Sequence, residues 1–158
     1  MIIASRIDGR LVHGQVANLW TTKLNITRIM VVDDDVATND VEKSGLKMAT
    51  PTGVKLSVLP VEKAATNILA GKYDSQRLLI IAKNPEYFVT LMEKGVTIEE
   101  INIGNMSQSD ETHSVTRSIN VTDDDVEKFK LLNENGVHLI SQMVPNDKAE
   151  NFMNFLKG

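Results

Sequence analysis

The sequence predicts a single three-layer α/β/α domain built on a mostly parallel central sheet, and three observations predict it. Short apolar runs rich in β-branched residues alternate with amphipathic segments along the whole chain, the pattern of repeated strand-helix units. Gly71, Gly95 and Gly136 recur where the amphipathic segments stop, as helix C-termini favour. With 158 residues and no cysteine, the chain has the length of one ordinary domain, 1–158, that buries a core without disulfides.

The elements follow in order. Met1 to Ile7, apolar and free of Gly and Pro, reads as a buried first strand, and Gly14 to Lys23 as a helix with Val16, Ala17, Leu19 and Trp20, and Leu24 beyond, on one face. Arg28 to Asp33 is a second strand that runs into the acidic triplet Asp33, Asp34, Asp35. Asn39 to Thr50 is amphipathic through Val41, Leu46, Met48 and Ala49, and Pro51 to Gly53 stops it before a third strand, Val54 to Leu59. Val61 to Ala70 carries the stripe Ala64, Ala65, Ile68 and Leu69. Arg77 to Ala82 is the most apolar run and is expected at the centre, and Asn84-Pro85 opens a helix through Lys94 with an N-cap and a first-turn proline. Glu100 to Ile103 leads into the loop Gly104 to Ser107. Thr122 caps Asp123 to Asn135, Val137 to Met143 is the last strand, and Asn146 to Leu156 is a closing helix. About six parallel strands are expected, with one antiparallel addition from Ser114 to Val121.

Composition excludes several functions. The net charge of −4 comes with no basic stripe or aromatic platform, which argues against nucleic acid. No apolar run reaches the length of a membrane span, and the N-terminus lacks the basic start of a secretory signal, so Met1 is expected to begin the mature chain. No Gly-x-Gly-x-x-Gly follows the first strand, and neither cofactor nor metal is called for.

The chemistry concentrates in Arg6 to Val16, Arg-Ile-Asp-Gly-Arg-Leu-Val-His-Gly-Gln-Val, at the first strand-to-helix turn. A neutral imidazole has one nitrogen free to attack phosphorus and one N–H to be held, and its ordinary pKa is about 6.5. His13 at a helix start therefore has the parts of a phosphoryl carrier. Arg10 offers a planar fork to phosphate oxygens, and the amides of Gly14, Gln15 and Val16 offer further donors. Asp8 is expected to orient this set by holding Arg10 or loop N–H groups. In such a sheet, ligands sit outside the carboxyl ends of the strands near a switch in connectivity, so the loops with Asp34 and Asp35, and with Gly104, Asn105 and Met106, are expected on the same rim. His113, in a polar loop, and His138, in an apolar strand, are weaker acceptors.

The Arg6 to Val16 run closely resembles the active-site signature of the IIB components of the bacterial sugar phosphotransferase system, in the mannose/fructose/sorbose family. Trp20, the segment Val31-Val-Asp-Asp-Asp35 and the segment Val96 to Met106 fall where that family has similar residues, in the same order. The resemblance implies that His13 takes a phosphoryl group, on its δ1 nitrogen, from a histidine of a IIA protein or domain. It passes that group to a sugar carried by the membrane components IIC and IID, and Arg10 steadies the group in transit. It also implies a cytoplasmic protein, peripherally associated with the permease. Gly9 stands where many relatives carry Asp or Asn, and Ser107 to His113 is more acidic than their basic stretch. The Gly-Asn-Met and Val-Asp-Asp forms lean towards N-acetylgalactosamine or galactosamine, with mannose, fructose and sorbose as the other sugars. The alternative is a receiver-like or non-enzymatic binding module that uses the Asp33 to Asp35 loop.

Overall fold

The structure, a computed structural model, describes residues 1–156. Its elements are β1 (Ile2–Asp8), α1 (Gly14–Leu24), β2 (Arg28–Val32), α2 (Asp40–Ala49), β3 (Lys55–Leu59), α3 (Val61–Leu69), β4 (Leu78–Ala82), α4 (Pro85–Glu93), β5 (Glu100–Asn105), β6 (His113–Ser114), β7 (Asn120–Val121), α5 (Asp123–Glu134), β8 (His138–Ser141) and β9 (Glu150–Asn151). The main sheet has seven strands in the order β3-β2-β4-β1-β5-β8-β9. The first six run parallel and only β9 is antiparallel.

Alternation along the inner strands separates two cores. Ile29, Val31, Leu79 and Ile81 face a layer that includes Ala17 of α1 and Leu46 of α2. Met30, Val32, Leu78 and Ile80 face a layer that includes Ala64 of α3, Phe88 of α4 and Phe129 of α5. Every residue of β4 is buried, as a strand covered on both faces requires. The helix starts use their expected caps. The Asn39 side chain accepts from the Glu42 amide and the Asn84 side chain from the Glu86 amide, and Thr122 with Asp125 forms a reciprocal box.

Connectivity fixes where a site can form. From β1 the chain crosses to β2 on one side, whereas from β5 it leaves towards β8 on the other, and β1 and β5 are neighbours. The switch point therefore opens a crevice between the carboxyl ends of β1 and β5. The register slips there, since Ile7 pairs with Ile103 but Asp8 with Asn105, which leaves Gly104 as the extra residue of a bulge.

Several expectations change in detail. Ser114 to Val121 is not a strand of the main sheet. Its ends form a separate two-stranded hairpin, β6 with β7, tied to β5 through Met106 and Ile119. The antiparallel addition is instead β9, inside the segment expected to be a closing helix from Asn146 to Leu156. Only Phe152–Leu156 coils there, as a 3-10 turn. Burial decides the difference, because pairing Glu150 and Asn151 with β8 carries Phe152 into the core against Phe129, with ring centroids 4.8 Å apart. Leu19, Val41, Met48 and Leu69, read as inward, are exposed.

Candidate active site

The site is built by the turn that ends β1. The Leu11 amide donates to the Asp8 carbonyl (2.9 Å), and the Arg10 amide to the Asp8 carboxylate Oδ1 (2.9 Å). Leu11 has φ +60°, left-handed backbone that a branched side chain adopts at a cost of about 1–3 kcal/mol. Its side chain and that of Val12 are buried in the α1/α2 core, which holds the turn in place against that cost.

These two anchors deliver His13 as the N-cap of α1. Its side chain caps nothing, and the first helical bond runs from the Ala17 amide to the His13 carbonyl (3.3 Å). The amides of Gly14, Gln15 and Val16 thus precede the helical hydrogen-bond ladder, beside the imidazole. The His13 side chain is 26% exposed, and its Nε2 lies 3.1 Å from Asp8 Oδ2. A carboxylate only accepts, so the hydrogen belongs on Nε2, and in the neutral ring Nδ1 then keeps its lone pair.

Asp8 is 1% exposed, and the cation beside it is Arg6, 4% exposed, whose Nε is 3.5 Å from Asp8 Oδ2. That separation is Coulombic attraction without a hydrogen bond, and the buried Nε has no hydrogen-bond partner. The rest of the guanidinium is engaged. It donates to the carbonyls of Gln142 (3.2 Å) and Met143 (3.1 Å), in the loop after β8, and lies 5.6 Å from the Trp20 ring centre. The Trp20 indole donates to the same Met143 carbonyl (2.9 Å). Burial pulls the Arg6 pKa below its ordinary value and Asp8 opposes the shift, but a guanidinium stays charged. Gly104 gives this group its seat: a Cβ there would fall 2.1 Å from an Arg6 terminal nitrogen.

The other rim residues take varied places. The Arg10 side chain is exposed and has no hydrogen bond or ion pair among the described residues, which leaves its fork open to an anion. Asn105 accepts the Gly9 amide on its carbonyl (2.9 Å), joining the β1 and β5 loops. A Cβ on Gly9 would lie 2.6 Å from Ser107 Oγ, so the small residue fits this close crossing. Met106 is buried and tied to the hairpin by the Ser118 carbonyl and the Asn120 amide rather than aimed at His13. Asp34 caps α3 by accepting the Val61 amide (2.8 Å), and Asp33 accepts the amides of Asp35 and Val36. Two of the three acidic side chains therefore serve as backbone caps, and Asp35 is exposed. Among the described residues, no three His, Cys, Asp or Glu side chains are grouped to hold a metal ion, and no helix is long and apolar enough to cross a membrane. His138 makes an exposed pair with Glu100, and His113 is exposed on the hairpin.

Sequence reasoning missed Arg6 as a site residue. The available signal was a charge inside an apolar strand two residues before Asp8, a spacing that puts both side chains on one face. The strand glycine at 104 pointed to the same close approach.

Comparison with known proteins agrees over the full chain. The family model of the PTS system sorbose subfamily IIB component matches residues 2–158. The fructose-specific EIIB component of Bacillus subtilis (strain 168) is 33% identical over 156 residues, covering 99% of this chain and 96% of that protein. The mannose-specific EIIAB component of Escherichia coli (strain K12) is 36% identical over 152 residues, which are 96% of this chain but 47% of that longer protein. The crystal structure of the IIBSor domain of the sorbose permease from Klebsiella pneumoniae superposes with a TM-score of 0.95 at 31% identity, covering 99% of this chain and 96% of that one. The switch-point crevice, its histidine and this full-length agreement lead to one assignment: the chain belongs to the sorbose-subfamily IIB components of the sugar phosphotransferase system and is a phosphotransferase of the mannose/sorbose family.

Proposed function

We propose that His13 is the phosphoryl carrier of this IIB component, loaded by a phosphorylated IIA protein and unloaded onto a sugar held by the membrane components IIC and IID. The observation that carries the reading is the single contact between His13 Nε2 and Asp8, which leaves Nδ1 as the free nucleophile at a helix N-terminus. Nδ1 attacks phosphorus as the bond to the donor imidazole breaks. The donor nitrogen recovers its lone pair, and His13 becomes an imidazolium whose Nε2–H still donates to Asp8. No proton has to move. Arg10 and the amides of Gly14, Gln15 and Val16 stabilise the charge on the three phosphoryl oxygens.

The EIIAB relative joins a IIA part to a IIB part in one polypeptide, which supports a IIA donor. A cytoplasmic site of action, peripheral to the permease, follows from that exchange. The relatives name fructose, mannose and sorbose, and in this reading the sugar is bound by IIC and IID, so the choice of sugar falls to them. The Gly104-Asn105-Met106 form keeps N-acetylgalactosamine or galactosamine as the proposed sugar.

Incubating the protein with phosphorylated IIA and weighing it intact tests the carrier. We expect His13→Ala to fold and take no acid-labile phosphoryl group, and His113→Ala and His138→Ala each to be labelled. Label on His13→Ala would move the acceptor elsewhere.

A further inference from the structure

We propose that Arg6 is a positioning residue for the transfer, holding the Asp8 carboxylate in place so that His13 presents Nδ1 rather than Nε2. The inference rests on His13 as carrier and extends that site inward by one charged layer.

Four observations converge on Arg6. First, the Asp8 side chain is almost wholly buried, and a buried carboxylate is held by a paired cation; the Arg6 guanidinium lies beside it. Second, the guanidinium cannot drift, because its terminal nitrogens are fixed by the Gln142 and Met143 carbonyls and its plane lies against Gly104. Third, Met143 also accepts from Trp20, so α1, the loop after β8 and the bulge in β5 all grip one side chain. Fourth, the Arg6 Nε has no hydrogen-bond partner although it is buried. A buried donor without a close hydrogen-bond acceptor needs a compensating charge. Here its positive edge faces the oxygen of Asp8 that receives His13 Nε2–H.

The order Arg6, Asp8, His13 gives each member a separate task. Arg6 fixes the place of the Asp8 carboxylate, Asp8 sets the tautomer of His13, and His13 reacts. When His13 carries a phosphoryl group on Nδ1, the ring is cationic and Asp8 must be a carboxylate to balance it. Without the fixed guanidinium, the Asp8 carboxylate is free to leave His13 Nε2. That nitrogen then loses its acceptor, and the Nδ1–H form, whose Nδ1 has no lone pair to attack with, becomes populated.

The test uses Arg6→Lys and Gly104→Ala. The lysine keeps a charge but loses the fork. The alanine leaves Arg6 in the sequence while its Cβ displaces the guanidinium. The first readout is the ring 15N chemical shifts of His13 in the protein without phosphoryl group. We expect the wild type to show the Nε2–H tautomer and both variants to populate the Nδ1–H form. The second readout is single-turnover labelling by phosphorylated IIA, where each variant should lose about 10- to 100-fold in rate at saturating donor with the half-saturating donor concentration little changed. A variant folded by thermal unfolding that keeps the wild-type tautomer and rate overturns the proposal. A loss of donor affinity alone overturns it too, since it would make Arg6 part of a docking surface. Wild-type protein that shows the expected tautomer but takes no label on His13 would instead sink the carrier reading, so the two failures are distinct.

Discussion

At the scale of single residues, the site divides into a part that the sequence displays and a part that it hides. His13, Arg10 and the amides after them are consecutive in the chain, so their joint role is legible from type and spacing alone. Arg10 is exposed with its fork unengaged, which makes it the residue for the phosphoryl oxygens rather than for the fold. We therefore expect Arg10→Lys to slow labelling by phosphorylated IIA by roughly 10- to 100-fold, with an unchanged thermal unfolding midpoint. A rate equal to that of the wild type would assign the stabilisation to the helix amides alone. Arg6 and its seat on Gly104 were less legible. The charge inside an apolar strand and the glycine at the end of another are local signals, but their contact joins residues almost a hundred positions apart.

At the scale of elements, local chemistry predicted starts better than faces. Asn39, Asn84 and Thr122 cap helices as their types suggest, because capping needs only the residue and the next turn. Periodicity placed Val41 and Met48 inward on α2, but that helix covers the sheet near its edge and buries little beyond Leu46. Met48→Lys is accordingly expected to leave stability within about 0.5 kcal/mol of wild type in urea unfolding. The acidic triplet is the opposite case, residues that look functional and hold structure. Asp33 is buried and accepts two backbone amides, and Asp34 accepts a third. The Tyr87 phenol receives the Asp34 amide, and burial, with the nearby Asp33 to Asp35, raises its pKa so that it stays neutral. Asp33→Ala should cost about 1–2 kcal/mol, a fall of roughly 2–8 °C in Tm, and leave phosphoryl transfer unchanged. Lost transfer in a stably folded Asp33→Ala would restore the triplet to the active site.

At the scale of the whole molecule, the alternation of strands and helices was legible because each unit closes locally, whereas the ends of the sheet depend on distant packing. The closing segment becomes a strand and a 3-10 turn because Phe152 finds Phe129 across the domain. Phe152→Ala is expected to cost about 3–5 kcal/mol, and hydrogen exchange should show the loss first in β8 and β9. Global topology also gives the site its location, since opposite exits from β1 and β5 open the crevice into which the first loop delivers His13. The central claim is that this geometry leaves one nitrogen of one histidine to carry the phosphoryl group. It is tested most directly by 15N and 31P spectroscopy of the ring-labelled protein after loading by phosphorylated IIA. Phosphorus coupled to Nδ1 of His13, with Nε2 still protonated, is the result expected. Phosphorus on Nε2, or on His113 or His138, would contradict it.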